Sequence, residues 1–252
     1  MQDVVIVAAT RTAIGSFQGS LANVPAVELG ATVIRSLMRS TGLDASQVDE
    51  VILGQVLSAG CGQNPARQSA VNAGLPFSTP AIRCGDAEII IAGGMESMSL
   101  APYVLPKVRT GLRMGHAQIE DSLLKDGLID AFNDYHMGIT AENLASQYQV
   151  SREDQDAYAL LSQQRANAAI NAGRFQNEIT PVMIPQRKGD PVAFNTDEQP
   201  RAETSEGSLA GLRPAFKKDG SVTAGNASTL NDGAAAVMLM TADKAKALNL
   251  PV

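Results

Sequence analysis

The chain contains no tryptophan, and its 252 residues include only two cysteines and two histidines. The cysteines are Cys61 and Cys84, and the histidines are His116 and His136. Two cysteines cannot build a disulfide framework, and the four residues lack the spacing of zinc ligands. We therefore expect neither a disulfide-rich fold nor a metal site.

Long apolar runs and clustered basic residues are also missing. No apolar run reaches the roughly 18 residues that a membrane span needs, and the N-terminus enters a strand without a charged and apolar leader. The net charge is −6 and the 20 Lys and Arg residues are scattered. Because binding to nucleic acid or an anionic membrane needs a basic face, we expect neither partner. A globular, cytoplasmic protein is the expectation, and 44% hydrophobic residues suffice for a sizeable core.

Strand and helix patterns alternate along the first hundred residues. The near-continuous apolar run Val4–Ala9 is typical of a strand buried on both faces of a parallel sheet. The next predicted elements are a helix over Ala26–Thr41 ended by Gly42, a strand over Val48–Val56, a helix from Pro65 to about Asn72, and strands over Glu88–Ala92 and Ala234–Met240. This order predicts an α/β fold with an open, mainly parallel sheet and helices.

A long insertion separates the last two strands. It carries elements of its own, including a helix that begins at Ser151, has Asp154 at a capping-box position and stops at Gly173. We therefore predict a core formed by residues 1–99 and 222–252, with residues 100–221 as an inserted loop domain over the substrate side. Gly93-Gly94-Met95 is interpreted as a strand exit that needs unusual backbone angles.

One junction is anomalous, at Pro80-Ala81. The residues that follow it, up to Gly85, have the pattern of a last helical turn, yet no helix precedes them. Four residues separate Pro80 from Gly85, which is too short for a packed helix of roughly 10 to 14 residues. We predict that a segment is absent here.

Four stretches together resemble the thiolase family, most closely its short-chain acetyl-CoA acetyltransferases. They are Val4–Phe17, Gly62–Gln68, Ala92–Ser99 and Thr223–Ser228, and the resemblance extends over essentially the whole chain. In that family about twenty residues, a strand and a helix with the nucleophilic cysteine, stand between the positions that match Pro80 and Ala81. The resemblance implies the thiolase N-terminal half without this segment.

The family's other catalytic groups also have no counterpart in this sequence. Its Gly-His-Pro histidine and its Cys-x-Gly acid/base cysteine belong to a C-terminal half, and we expect the chain to stop where that half begins. No residue is therefore assigned a catalytic role. Cys61, three residues before the helix opened by Asn64, is the one alternative nucleophile, since a helix N-terminus favours a thiolate. Cys84, near a predicted helix C-terminus, is interpreted as a packing residue.

The resemblance also implies a coenzyme A site. Ala224 and Ser228 match positions that contact pantetheine, within a stretch of small side chains that suits a narrow slot. Thr229 replaces a common glycine there. Without the family, this stretch would be interpreted as an ordinary turn before a buried strand.

Further positions match the nucleotide and acyl ends of that site. Arg201, Ser208 and Leu212 correspond to residues that hold the adenine nucleotide, and Phe216 to one that lines the tunnel. His136 and Met137 form the His-Met pair of short-chain members, in which the histidine orients pantetheine and the methionine, with Leu128 beside it, limits acyl length. Taken alone, a histidine such as His136 is more often a satisfied structural residue.

The resemblance implies an acyltransferase that condenses two acetyl-CoA molecules reversibly to acetoacetyl-CoA and coenzyme A, with the thioester as substrate and no cofactor. Residues 109–116 resemble the segment through which such enzymes form homotetramers. As written, the chain is expected to be inactive. One alternative is a non-catalytic coenzyme A-binding or oligomerising remnant, and another is a functionless product of a damaged gene. A third is that the protein carries residues that the sequence omits, so that its mass exceeds 26.4 kDa.

Overall fold

The computed structural model describes residues 3–81, 87–112 and 114–252. Its contacts divide the chain into two compact units. The sheet unit comprises Met1–Ala101, Gln176–Glu198 and Asn231–Val252, and the helical unit comprises Pro102–Phe175 and Gln199–Leu230.

The secondary structure of the described residues follows in chain order. The strands are β1 (Val4–Thr12), β2 (Gly15–Ser16), β3 (Glu50–Gly54), β4 (Ile89–Ser97), β5 (Tyr103–Val104), β6 (Glu120–Asp121), β7 (Ile179–Thr180), β8 (Val182–Ile184), β9 (Val192–Phe194) and β10 (Asn231–Thr241). The α-helices are α1 (Ala26–Thr41), α2 (Pro65–Asn72), α3 (Met137–Tyr148), α4 (Arg152–Asn171), α5 (Glu206–Ala210) and α6 (Ala242–Ala247).

The sheet unit is built on one mixed sheet. The strand order is β3-β4-β10-β1-β7, and β2 pairs with β10. The pairs β3–β4 and β1–β7 are parallel, whereas β10 runs antiparallel to β4, β1 and β2. All these strands except β10 therefore point the same way, which confirms the predicted open, mainly parallel sheet.

Helix α1 forms the centre of the core of this unit. Its side chains at Leu29, Val33, Ile34 and Leu37 are fully buried. Burial of each such side chain stabilises the fold by about 1.5–3 kcal/mol. Gly42 ends the helix with φ 66°, a left-handed conformation that favours glycine. The predicted bounds of α1 are confirmed.

The other face of the sheet is apolar and exposed. Val4 and Ile6 on β1 are 66% and 51% exposed, and Ile52 on β3 is 47% exposed. Alternate residues such as Val7 and Val51 lie in the core with α1. The expectation that Val4–Ala9 is buried on both faces is therefore wrong, because α1 and α2 pack on one face only among the described residues of this unit.

Gly93 and Gly94 lie inside β4 and do not form a strand exit as predicted. A Cβ built on Gly93 would overlap the carbonyl oxygen of Ala235 and crowd Ala236 on β10. Glycine is needed at position 93 because the backbones of two paired strands approach closely there.

The chain reaches Pro80 alongside the outer edge of β3. The Val51 N–H donates a hydrogen bond to the carbonyl oxygen of Pro80 (3.1 Å), and the hydroxyl of Thr79 donates to the carbonyl oxygen of Val48 (3.3 Å). A strand-like contact therefore begins at this edge directly before the anomalous junction. The predicted helical turn after it, with Cys84, lies outside the described residues.

The predicted inserted domain over residues 100–221 differs from the observed grouping at residues 100–101, which belong to the sheet unit, and in two longer stretches. Gln176–Glu198 belongs to the sheet unit, because β7 pairs with β1 and both Val182 and Phe194 lie in its core. The guanidinium of Arg11 fixes this stretch through Asp197 (2.7 Å) and Glu178 (2.7 Å). Residues 222–230, assigned to the core, lie in the helical unit.

The helical unit is built around α3 and α4. Ser151 caps α4 as predicted: its hydroxyl accepts a hydrogen bond from the Asp154 N–H (3.0 Å), and the Asp154 carboxylate accepts one from the Ser151 N–H (3.3 Å). Strands β5 and β6 form a short antiparallel pair. Within the described residues, no helix has the length and apolar character to cross a membrane.

Candidate functional site

All nine residues that the resemblance assigns to coenzyme A lie in the helical unit. They are Leu128, His136, Met137, Arg201, Ser208, Leu212, Phe216, Ala224 and Ser228. The segments that carry them can therefore be described within one compact unit.

His136 and Phe216 lie in contact. Their ring centroids are 4.7 Å apart and the ring planes differ by 27°, a stacked arrangement. His136 is the N-cap of α3, and its Nδ1 accepts a hydrogen bond from the Gly138 N–H (2.9 Å). Because Nδ1 is the acceptor, the proton of the neutral ring lies on Nε2. The imidazole thus has a fixed orientation and tautomer, with its donor on the ring edge away from the cap.

Gly138 makes this stack possible. It is buried, and a Cβ built on it would overlap the ring of Phe216. The close approach of Phe216 to the first turn of α3 therefore requires glycine at this position.

Leu128 and Met137 occupy neighbouring register positions. Leu128 ends a π-helical turn over Leu123–Leu128, and the next residue, Ile129, forms an antiparallel bridge with His136. Leu128 and Met137 are thus each adjacent in the chain to one member of this bridge, and Met137 is 55% exposed. The arrangement agrees with the predicted acyl-pocket border, which stays a prediction.

Phe216 sits on a short hairpin held by a buried carboxylate. Pro214 bridges Thr223, and the Ala215 N–H donates to the carbonyl oxygen of Val222 (2.9 Å). The carboxylate of Glu142, on α3, accepts hydrogen bonds from the N–H groups of Ser221 (3.0 Å) and Val222 (2.8 Å) and from the Ser221 hydroxyl (3.2 Å).

The electrostatics of Glu142 follow from these contacts. Burial opposes its ionisation, but the backbone hydrogen bonds from Ser221 and Val222 outweigh burial and lower the pKa of Glu142. Lys217 lowers that pKa further through its charge. The ionised carboxylate therefore anchors the hairpin to α3 at neutral pH.

The turn that carries Ala224 is fixed by Asn226. The side-chain oxygen of Asn226 accepts a hydrogen bond from the Thr223 N–H (2.7 Å), and its amide donates to the carbonyl oxygen of Ser221 (3.1 Å) and to the carboxylate of Asp156 (2.9 Å). Ala224 and Ser228 are exposed on either side of this residue. The turn thus presents small side chains from a constrained backbone.

Arg201 and Ser208 lie on the segment before and within α5. Both residues are exposed, and the Arg201 N–H donates to the side chain of Gln163 on α4 (2.7 Å). Among the described residues, no ion pair involves the Arg201 guanidinium, which leaves it available to a phosphate. The Ser208 hydroxyl is engaged in a reciprocal capping box with Ser205.

The segment after α5 and the Asn226 turn pack closely together. A Cβ built on Gly225 would lie 2.6 Å from side-chain carbons of both Leu209 and Leu212. Glycine at position 225 therefore permits the close contact between the predicted nucleotide segment and the predicted pantetheine segment.

Three residues of α3 and α4 that the sequence reasoning missed position these segments. They are Glu142, Arg152 and Asp156. In the sequence, only the i,i+4 spacing of Arg152 and Asp156 indicates an ion pair, and this spacing is equally typical of a pair on an exposed helix surface. Asn226 lies within the Thr223–Ser228 motif, but the sequence gives no sign of the three hydrogen bonds that its side chain makes.

Cys61, the alternative nucleophile, is half-buried and engaged in hydrogen bonds. Its sulfur accepts from the side-chain amide of Gln55 (3.2 Å) and donates to the carbonyl oxygen of Leu57 (3.6 Å). These two contacts hold the sulfur in place.

Comparison with known proteins decides the family. The family model described as "Thiolase, N-terminal domain" matches residues 4–83 and 78–243. The chain belongs to the thiolase family. The thiolase match comes in two pieces that meet at residues 78–83, around the anomalous junction Pro80-Ala81.

Individual thiolase relatives are highly similar. An acetyl-CoA acetyltransferase of Pseudomonas aeruginosa is 68% identical, over 100% of this chain and 69% of its own length. A probable acetyl-CoA acetyltransferase of Escherichia coli K12 is 58% identical, over 100% of this chain and 69% of its own length. The Pseudomonas alignment runs over 272 positions, 20 more than the 252 residues of this chain.

A solved thiolase structure agrees with the fold. The crystal structure of the Bacillus anthracis acetyl-CoA acetyltransferase matches with a TM-score of 0.95 at 42% identity, covering 100% of this chain and 68% of that one. The thiolase fold expected from the sequence motifs is thereby confirmed.

Proposed function

We propose that this chain is the coenzyme A-binding part of an acetyl-CoA acetyltransferase, and that as written it binds coenzyme A without catalysing acyl transfer. The observation that carries the binding proposal is the joining of the predicted pantetheine and nucleotide segments in one unit, where Gly225 packs against Leu209 and Leu212. The names of the relatives give the substrate class.

The proposed ligand fits the chemistry of these segments. Pantetheine is a narrow, amide-containing chain, and the exposed Ala224 presents only a small side chain, which lets such a ligand approach the backbone of the turn. The phosphates carry negative charge, and the unpaired guanidinium of Arg201 supplies the complementary charge. The Nε2–H of His136 is available as a hydrogen-bond donor, which suits the predicted role of orienting pantetheine.

The whole enzyme's reaction would proceed by ping-pong acyl transfer. A cysteine thiolate attacks the thioester carbon of one acetyl-CoA, the C–S bond breaks, and coenzyme A leaves. A second cysteine removes a proton from the methyl group of another acetyl-CoA, and the carbanion attacks the acetylated cysteine. The C–C bond of acetoacetyl-CoA forms as the thiolate is released. None of the 252 residues is assigned to these roles.

The segment that would carry the nucleophile is proposed to be missing between Pro80 and Ala81. Two findings support this: the two-piece family match and the 20 additional positions in the Pseudomonas alignment. The contact between Pro80 and the edge of β3 suits a strand that begins there. The homotetramer through residues 109–116 and the cytoplasmic location stay predictions.

Binding and catalysis are tested separately. Isothermal titration of the 252-residue chain with coenzyme A should show saturable binding, weakened by Arg201→Ala because a phosphate loses its cation. Glu203→Ala, which removes an exposed carboxylate two residues away, is the matched control. Acetoacetyl-CoA cleavage should stay at the uncatalysed rate. Undetectable binding would refute the binding proposal, and turnover would refute the proposed inactivity.

The alternative of a non-catalytic oligomerising remnant predicts a different result. The exposed apolar face at Val4, Ile6 and Ile52 favours association irrespective of ligand. An associating chain that does not bind coenzyme A would support that alternative.

A further inference from the structure

The Arg152–Asp156 ion pair connects the two segments that carry the candidate ligand residues. The Arg152 Nε lies 2.7 Å from Asp156 Oδ2, and the two side chains are 22% and 12% exposed. Both residues belong to the first two turns of α4. Neither residue is among those that the family resemblance assigned to the ligand.

Arg152 binds the end of the nucleotide segment. Its Nη2 donates to the carbonyl oxygens of Leu209 (2.6 Å) and Leu212 (3.2 Å), at and just beyond the C-terminus of α5. The Leu209 carbonyl oxygen also accepts a hydrogen bond from the Leu212 N–H (3.0 Å), so the guanidinium reinforces this helix end and helps to hold Leu212 in place.

Asp156 binds the pantetheine segment with its other oxygen. Its Oδ1 accepts a hydrogen bond from the amide of Asn226 (2.9 Å), the same amide that binds the Ser221 carbonyl oxygen. Gln155, beside it on α4, donates to the Ser221 hydroxyl (2.9 Å). A continuous chain of hydrogen bonds therefore runs from Leu212 through the ion pair to Asn226.

We infer that the Arg152–Asp156 pair sets the spacing between the nucleotide and pantetheine segments, and is thus a positioning element of the coenzyme A site. The inference rests on the proposed function. The pair acts through the backbone of Leu212 and the side chain of Asn226. Because a Cβ at Gly225 would lie only 2.6 Å from Leu209 and Leu212, the two segments are in direct contact, and a displacement of one changes its position relative to the candidate ligand residues on the other.

This role has a signature that simple stabilisation lacks. A ligand whose two ends bind two segments gains affinity only when the spacing of the segments matches the ligand. Loss of the pair should therefore weaken binding of intact coenzyme A more than binding of its adenosine bisphosphate fragment, which contacts the nucleotide segment alone. General destabilisation would weaken both ligands together.

The test uses the full 252-residue chain and calorimetric or NMR titration with both ligands. Because Arg152 makes charge-assisted hydrogen bonds to both segments, we expect Arg152→Gln to raise the Kd of coenzyme A about tenfold or more. The Kd of the fragment should rise several-fold less than that of coenzyme A. Arg165→Gln, which removes an exposed guanidinium from the same helix, is the matched control and should change neither.

Two further variants keep the test decisive. Arg152→Lys retains the charge but cannot span the carboxylate and both carbonyl groups, so its effect should be intermediate and its fold intact by circular dichroism. Asp156→Asn combined with Arg152→Gln should be non-additive, because both changes break one connection.

Three outcomes would overturn the inference. They are equal weakening of coenzyme A and its fragment, a Kd indistinguishable from that of the Arg165→Gln control, or strict additivity of the two changes. If the unaltered chain binds neither ligand, the proposed function itself is refuted and the inference falls with it.

Discussion

Replacement of Glu142 by glutamine tests how the candidate site is held. The carboxylate is buried, 7% exposed, and accepts hydrogen bonds from two backbone N–H groups and one hydroxyl. Glutamine has nearly the same shape and keeps one oxygen acceptor, so it removes the charge and one acceptor without opening a cavity. The hairpin that presents Phe216 and leads into Ala224 should then lose part of its anchor.

The expected loss in the free energy of unfolding follows from the hydrogen bonds of the carboxylate. Hydrogen bonds to a charged group contribute about 1.5–3 kcal/mol and neutral ones about 0.5–1.5 kcal/mol. If the amide oxygen takes the place of Oε1 and keeps both backbone bonds, the substitution should cost about 1–2 kcal/mol in the free energy of unfolding. Glu142→Ala leaves two buried N–H groups unpaired and should cost about 3 kcal/mol or more.

The contribution of Glu142 to the free energy of unfolding should depend on pH in a definite direction. The pKa of Glu142 is lowered in the folded protein from its ordinary value of 4.5. The carboxylate therefore contributes stability that is fully present well above pH 4.5 and is lost as the pH falls through the lower folded pKa. The stability difference between the unaltered chain and Glu142→Gln should be constant near neutrality and shrink under acid conditions.

Urea unfolding followed by circular dichroism, at a series of pH values, measures this difference. Glu153→Gln, an exposed residue in the first turn of α4, is the control. A Glu142→Gln variant as stable as the control at neutral pH, or a difference that does not shrink on acidification, would refute the assigned role of the carboxylate.

Two further changes test the packing of each unit. Gly138→Ala should displace the ring of Phe216, because a Cβ there overlaps it; overpacking of this kind costs about 1–3 kcal/mol. NMR shifts of the His136 ring report the loss of stacking, and unchanged shifts would contradict the account. The unaltered chain should self-associate at micromolar concentration through the exposed sheet face, and Ile6→Lys should reduce the mass seen by light scattering. The control Val192→Lys, at an exposed apolar site on β9, should leave that mass unchanged. A monodisperse monomer for the unaltered chain would count against the prediction.

Elements with strong local signals were predictable from the sequence. Helix α1 has an apolar stripe and a C-terminal glycine, and α4 has a capping box at Ser151, so both were located with little error. In these helices the decisive interactions lie within a few residues along the chain, which is why the sequence pattern suffices.

Elements whose existence depends on distant partners were not predictable. Strands β7, β8 and β9 have two or three residues each, too few for an alternating pattern, and β7 exists because it pairs with β1. The apolar run of β1 predicted burial on both faces, but a run of that kind cannot indicate whether a second layer is present.

The candidate site shows the same division. Its candidate ligand residues follow from motif resemblance, and all nine lie in the helical unit. The residues that support them could not be predicted, because the sequence around Glu142 and Asp156 is typical of a solvated helix face. Only the folded arrangement shows that their carboxylates bind Ser221 and Asn226.

The central claim, that this chain binds coenzyme A without forming an acyl-enzyme, is tested most directly by mass spectrometry. The 252-residue chain is incubated with acetyl-CoA, and its intact mass and peptide masses are measured. We predict an intact mass of 26.4 kDa and no acetylated cysteine, since Cys61 is engaged by Gln55 and Leu57 and no residue is assigned as nucleophile. Stoichiometric acetylation of Cys61 or Cys84 would contradict the account.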